Sequence, residues 1–242
     1  MTETQEAAFL DHYYEYGFRS EDGRALVEIH WKLMERHFDI PLDLELLWER
    51  LQPITLAGRR VMTLSPEDAL LILCVHASKH LWSRLGWVCD VANLIQAHRE
   101  MNWGLVTKHS AKLGSRRMLE VGLVLASELL GASLPERVSR EIYSNSPARV
   151  LATDIVRRLF EEPGTPQGII ESSMFHIRMR ERFRDRSRYC WRLAVTTTAG
   201  DWTSIKIPRP LFFLYYPLRP LRLAGKYGRR FMNRIKRGVD AR

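Results

Sequence analysis

Two segments rich in aromatic and β-branched residues, 12–18 and 25–31, predict a β-hairpin near the start of this chain. The short polar stretch between them contains the pair Asp22-Gly23, a common turn former between antiparallel strands. A two-stranded hairpin is marginally stable by itself and needs further strands or a covering helix. The rest of the chain must therefore supply packing partners for it.

The second predicted strand has two different faces, because successive side chains of a strand alternate. Its apolar face contains Val27, Ile29 and Trp31. Glu28 and His30 lie on the opposite face. This arrangement fits either the solvated face of an antiparallel sheet or a carboxylate and an imidazole placed together for chemistry.

After residue 62 the sequence predicts a mainly helical body. The segment Ser65-Pro66-Glu67-Asp68 is typical of a helix start, with a serine cap, a proline at the first helical position and an acidic residue three after the cap. Gly86 is expected to interrupt the helical region after residue 81, and Gly131 to end a later helix. Helices are predicted over residues 66–81, 88–97, 105–113, 119–130 and 146–158. The predicted fold class is α+β.

Five segments, in this order along the chain, carry a resemblance: 28–33 (EIHWKL), 64–68 (LSPED), 76–90, 185–189 (DRSRY) and 214–223 (LYYPLRPLRL). Together they resemble the uncharacterised nucleotidyltransferase family of bacterial polysaccharide and peptide-modification gene clusters. The resemblance implies that the hairpin is a remnant of a nucleotidyltransferase sheet. It also implies transfer of a nucleoside monophosphate from an NTP to an acceptor hydroxyl, with Mg²⁺ as cofactor.

The resemblance assigns roles to two hairpin residues. Glu28 takes the position of the third carboxylate, which activates the acceptor hydroxyl or helps to hold a metal ion, and His30 lies nearby as an orienting group. The family's glycine-containing phosphate-binding turn and its Asp-x-Asp strand are not found before the hairpin. We therefore expect a truncated enzyme completed by an upstream segment or by a second protein chain, or a remnant that binds without catalysing.

A tryptophan-rich region follows the first predicted helix. His76 and His80 are one helical turn apart, but no glutamate follows His76 and no third ligand is placed by the spacing, so we do not favour a zinc site. One interpretation is a substrate pocket that faces Glu28 and His30. Its lining would consist of His80, Trp82, Arg84, Trp87 and Asp90. The other interpretation is a structural helix junction with an ion pair between Arg84 and Asp90.

Composition favours a cytoplasmic protein. The three cysteines form no C-x-x-C pair, and the chain starts with acidic and polar residues rather than a signal peptide. The net charge of +9 is concentrated at the end, where residues 206–242 contain eleven lysines or arginines and one acid, Asp240.

This basic segment also holds the aromatic run 211–216, a mixture that suits an anionic membrane surface, such as the inner face of the membrane. Nucleic acid is a less favoured partner, because no known binding module accompanies the charge. The alternative function is a non-catalytic protein that binds such a surface or a partner of a polysaccharide or peptide-tailoring system. The sequence suggests three parts: a partial nucleotidyltransferase β region (1–62), a helical domain (63–160) and an arginine-rich, basic aromatic segment (161–242).

Overall fold

The computed structural model describes residues 14–34, 38, 40–144, 146–160, 168–196, 217–220, 222 and 225. Most of the basic segment 206–242, including the aromatic run 211–216, lies outside these residues. The chain divides into two compact units, one formed by residues 1–39 with 187–242 and the other by residues 40–186. The division into three parts suggested by the sequence stays a prediction.

The first unit contains the predicted antiparallel hairpin, which confirms the α+β expectation for the start of the chain. Strand β1 spans Glu15–Arg19 and strand β2 spans Leu26–His30. Gly23 has a φ of 70° in the turn, a left-handed conformation that glycine adopts without strain. The amide of Ser20 donates to the carbonyl of Ala25 at 2.9 Å and closes the turn.

The second unit begins with a short helix, α1 (Leu44–Glu49), and a second hairpin, β3 (Gln52–Leu56) and β4 (Arg59–Thr63). Eight further helices are described between residues 66 and 195. They are α2 (Pro66–Lys79), α3 (Leu85–Ala97), α4 (Trp103–Leu113), α5 (Arg116–Leu130), α6 (Glu136–Ser144), α7 (Ser146–Phe160), α8 (Ile169–Arg178) and α9 (Phe183–Val195). None of the described helices is long and apolar enough to cross a membrane.

The second hairpin was not predicted from the sequence. Its turn contains Ala57 and Gly58, both with positive φ, 48° and 76°. The pair Ala-Gly is not one of the usual turn formers, Asn-Gly or Asp-Gly, and positive φ is uncommon for alanine. The sequence therefore did not indicate a turn here. Pro53 within β3 also argues against a strand in the sequence, because proline cannot donate a hydrogen bond to a strand ladder.

The prediction that Gly86 interrupts the helical region was wrong. Gly86 does not interrupt a helix, since it lies in the first turn of α3. The chain breaks earlier, at Leu81 and Trp82, whose φ values are 61° and 54°. The tryptophan indole donates to the Ser78 hydroxyl at 3.1 Å, and its backbone amide donates to the Ala77 carbonyl at 2.8 Å. These contacts hold the reversal between α2 and α3.

Helix α5 is the centre of the helical unit and packs against α2, α3, α4, α6 and α7. Nine consecutive residues, 118–126, are buried, as expected for a helix enclosed on all sides. Its N-cap residue, Ser115, makes no side-chain cap. Instead the Glu181 carboxylate accepts from the amides of Arg116 and Arg117 at 3.2 and 3.4 Å. A negative charge at a helix N-terminus is stabilising, so Glu181 fastens the segment before α9 to α5.

Trp82 is fully buried and packs against Gly122 in the middle of α5. A β-carbon at position 122 would lie 2.5 Å from the sulfur of Cys74 and 3.0 Å from the Trp82 ring. Burial raises the pKa of the Cys74 thiol, which therefore remains uncharged in this packing. The tryptophan needs a glycine opposite it.

We expect Gly122→Ala to lower the free energy of unfolding by about 1–3 kcal/mol, the cost of overpacking a dense core. The matched control is Gly86→Ala, also in a helix, where an added β-carbon meets nothing within 4 Å. That change should stabilise the protein by about 0.5–1 kcal/mol, because glycine is a poor helix former. Urea denaturation of the three proteins measures both effects. Equal effects of the two substitutions would contradict the packing argument.

Candidate functional site

The strand register of the first hairpin brings three ionisable side chains together. Glu15 is paired with His30, and Glu28 is paired with Gly17 in the next pair on the same face. The Nε2 atom of His30 lies 3.3 Å from the Glu15 carboxylate and 3.7 Å from the Glu28 carboxylate. One ligand atom from each residue can be chosen so that the three lie within 4.8 Å of one another. We call Glu15, Glu28 and His30 the hairpin cluster.

Gly17 leaves room between the members of the hairpin cluster. It occupies the position across the ladder from Glu28, where any larger residue would add a side chain to the face. An added β-carbon there would lie 3.9 Å from Cγ of Glu28 and 3.5 Å from Cδ1 of Leu26, both ordinary contacts. The space within the hairpin cluster therefore exists because Gly17 has no side chain, and not because the backbone is strained.

The hairpin cluster is accessible to solvent. The side chains of His30 and Glu15 are about one third exposed, and that of Glu28 is about half exposed. The Tyr14 ring lies 5.9 Å from the His30 ring, at one end of the cluster. Carboxylates at such a position can contact a cation or a substrate hydroxyl directly.

The opposite face of the hairpin is apolar, as the alternation predicted. Tyr16 pairs with Ile29 and Phe18 pairs with Val27 across the ladder. The rings of Tyr16 and Phe18 lie 4.8 Å apart, and all four side chains are exposed in the described structure. One face of this small sheet therefore holds the ionisable cluster, and the other holds exposed apolar side chains.

Sequence reasoning found Glu28 and His30 but missed Glu15. The signal was present, because residues equally far from the centre of a tight turn face each other in a hairpin. Glu15 and His30 are such a pair around Asp22-Gly23. The register, and not the composition of either strand, identifies Glu15 as part of the cluster.

The other predicted site residues lie in the helical unit, where they separate into two groups. His80 and Trp87 stack with ring centroids 5.2 Å apart, and the guanidinium of Arg84 lies 5.7 Å from the centroid of the Trp87 ring. His76 extends this group, since its ring lies 4.6 Å from that of His80. Asp90 is exposed on α3.

Trp82 belongs to the second group, because the structure places it in the core against Gly122. It can position the aromatic group at the end of α2 but offers no surface to a ligand. The joint pocket between these residues and the face of Glu28 and His30 stays a prediction.

A buried carboxylate also lies in the helical unit, at the start of α2. Asp68 accepts from Arg50 at 2.7 and 3.0 Å and from the hydroxyl of Ser65 at 3.0 Å. Nδ1 of His109 is 3.4 Å away. Burial alone would raise the pKa of Asp68, but the hydrogen bonds from Arg50 and Ser65 and the charges of Arg50 and His109 outweigh it and hold the pKa below its ordinary value.

The cavity beside Asp68 has a volume of about 70 Å³ and an apolar lining that includes Leu47 and Leu71. Pockets for small molecules are usually about 300–1,000 Å³, so this cavity is too small for a nucleotide. Asp68 is therefore a structural ion that joins the start of α2 to Arg50 after α1 and to His109 on α4.

We expect Asp68→Asn to lower the free energy of unfolding at neutral pH by about 3 kcal/mol, because Arg50 and His109 would lose their anion. Since the folded-state pKa of Asp68 is lowered, its contribution is complete above the ordinary carboxyl pKa of about 4. It is lost as the pH falls through the lowered folded-state value. The difference between the two proteins should therefore shrink below about pH 4.

Urea denaturation across a pH series measures this difference. Asp90→Asn makes the same chemical change at an exposed position and should alter stability by less than about 0.5 kcal/mol. A gap between wild type and Asp68→Asn that stays constant from neutral to strongly acidic pH would contradict the assignment.

The family described as uncharacterised nucleotidyltransferase matches residues 3–131, which include both hairpins and the helices up to α5. No curated protein and no solved structure matches the chain. The match covers the motifs at 28–33, 64–68 and 76–90. The motifs at 185–189 and 214–223 lie beyond it, so that part of the resemblance stays a prediction.

Proposed function

Because the chain belongs to the uncharacterised nucleotidyltransferase family, we propose that it transfers a nucleoside monophosphate from an NTP to an acceptor hydroxyl, with the hairpin cluster in the reactive site. In this reaction the acceptor oxygen forms a bond to the α-phosphorus. The bond between the α-phosphorus and the bridging oxygen breaks, and pyrophosphate leaves.

The observation that carries the proposal is the convergence of Glu15, Glu28 and His30 within the segment that matches the family. Phosphoryl transfer needs carboxylates that hold metal ions and a group that accepts a proton from the attacking hydroxyl. Two acids that share a single imidazole retain at least one negative charge. The cluster is thus suited to both tasks.

The donor atoms of the cluster fit magnesium in part. Carboxylate oxygens are the side-chain ligands that Mg²⁺ prefers, whereas imidazole suits softer metals. Glu15 and Glu28 would therefore hold the ion, which supplies charge neutralisation for the triphosphate. His30 lies nearer to Glu15 than to Glu28 and would orient the carboxylates by hydrogen bonding.

Glu28 is the residue we assign to the acceptor hydroxyl. It is the more exposed of the two acids and the one farther from His30, so one of its carboxylate oxygens would hold the ion while the other remains available to the acceptor. The hydroxyl proton passes to Glu28 as the oxygen attacks. A carboxylate in hydrogen-bond reach of the attacking group is the usual arrangement for general base catalysis.

Further ligands must complete the site. Magnesium has near-octahedral coordination, and two ions with a triphosphate require more oxygen ligands than the cluster provides. We propose that a phosphate-binding turn and an Asp-x-Asp pair are supplied from outside the hairpin, by a further segment or by a second chain. Metal binding by the hairpin cluster alone is then expected to be weak.

We propose that the acceptor or the base of the nucleotide binds to the aromatic surface formed by His80, Arg84 and Trp87, with Asp90 at its side. Arg84 and Asp90 are exposed, whereas His80 and Trp87 are partly exposed. Planar groups with adjacent cationic and acidic side chains suit a nucleotide or a sugar. Trp82 supports this surface from the core.

We expect Glu28→Gln to abolish metal-dependent nucleotide transfer while leaving the fold intact, because the substitution removes charge with little change of volume. Glu15→Gln should weaken Mn²⁺ binding by at least about tenfold, since it removes a direct ligand of the proposed site. Electron paramagnetic resonance titration with Mn²⁺ measures affinity independently of turnover. Transfer of label from α-labelled NTPs, in extract that supplies acceptor and any second chain, measures activity.

Glu21→Gln is the matched control, because it removes the same charge from the same hairpin at an exposed turn position outside the cluster. It should leave both readouts unchanged. If Glu15→Gln and Glu21→Gln bind Mn²⁺ equally, the cluster does not hold the metal. If Glu28→Gln retains full transfer, Glu28 is not the base.

A further inference from the structure

Helix α9 presents two large aromatic side chains to solvent. Phe183 is 82% exposed and Trp191 is 68% exposed. They are eight residues apart, so at 100° per residue they lie on the same side of the helix and about 12 Å apart along its axis. Ser187 lies between them on this side and is also exposed. We call Phe183, Ser187 and Trp191 the outer face of α9.

The other side of α9 is fixed within the protein. Tyr189 is 3% exposed and lies opposite the outer face. The helix is therefore held by a buried residue while its aromatic residues point outward. An exposed aromatic pair on an anchored helix differs from single apolar residues scattered over a surface, which need no explanation.

Cationic side chains border the outer face. The helix contains four arginines and one aspartate. Arg184 is next to Phe183 and is three quarters exposed, and its Nε atom lies 3.7 Å from Asp185. Arg188 follows one turn later on the same edge. Aromatic rings flanked by arginines are characteristic of helices that lie in the interface of a bilayer with anionic headgroups.

We propose that the outer face of α9 binds an anionic lipid surface, with Phe183 and Trp191 at the boundary between headgroups and acyl chains and Arg184 among the phosphates. The proposal goes beyond nucleotide transfer and does not depend on it. The aromatic residues supply apolar contact, and the arginines supply selectivity for negative charge. A convex helix face suits a planar surface better than a single nucleic-acid strand, which is usually bound in a groove.

Trp48 provides a matched comparison. It is 71% exposed, as much as Trp191, but it lies on α1, which contains two glutamates and no cation. Replacing either tryptophan with alanine therefore removes the same indole ring from an exposed position. The helix around Trp48 carries acidic residues, whereas the helix around Trp191 carries mainly arginines. Only Trp191 should contribute to the binding of anionic lipid.

The test is co-sedimentation of the full chain with vesicles of phosphatidylcholine mixed with phosphatidylglycerol, and with vesicles of phosphatidylcholine alone. Wild type should bind the mixed vesicles and not the neutral ones. Trp191→Ala should weaken binding at least about fivefold, and Trp48→Ala should have no effect. Arg184→Gln should also weaken binding and reduce its salt dependence.

Circular dichroism of each variant establishes that the fold is retained, and exposed positions such as these tolerate substitution. Equal binding by wild type and Trp191→Ala would overturn the proposal and assign vesicle binding to the basic segment 206–242. Equal binding to neutral and anionic vesicles would also overturn it. So would binding of single-stranded polyuridylate with the same dependence on Trp191, because the face would then serve a nucleic acid.

Discussion

The helical unit depends on the close approach of Trp82 to Gly122. The chain between α2 and α3 reverses through two residues with positive φ, a conformation that costs about 1–3 kcal/mol for each non-glycine residue. Burial of the whole Trp82 side chain and its hydrogen bond to Ser78 offset that cost. Because the reversal is held in this way, α3 starts at Leu85 and Trp87 stacks on His80.

The hairpin cluster does not depend on a contact between residues distant in sequence. The antiparallel register of two neighbouring strands alone brings its members together. Glu15 meets His30 across one ladder pair, and Glu28 belongs to the next pair on that face. No tertiary contact is needed for this convergence. Holding the carboxylates precisely enough for catalysis is a further requirement, since two strands are marginal without cover. A partner that covers the exposed apolar face of Tyr16 and Ile29 would both stabilise the hairpin and fix the cluster.

The sequence predicted the elements whose signals are local. Asp22-Gly23 identified the first hairpin, and the capping serine Ser65 identified the start of α2. What the sequence could not predict depended on distant residues. The reversal at Trp82 requires Gly122, 40 positions away, and an aromatic residue near a predicted site was therefore interpreted as a pocket wall. Glu15 was missed because its position beside His30 follows from the strand pairing and not from the sequence of its own strand.

Charge balance distinguishes the structural ion Asp68 from the hairpin cluster. Asp68 is buried and faces Arg50 and His109, so its negative charge is fully compensated, and its removal would unbalance the core. In the hairpin cluster two acids share one imidazole, and a net negative charge remains at an accessible position. Uncompensated charge is unfavourable for folding but attracts cations. Within the segment that matches the nucleotidyltransferase family, the hairpin cluster therefore places accessible negative charge, which favours the approach of a cation.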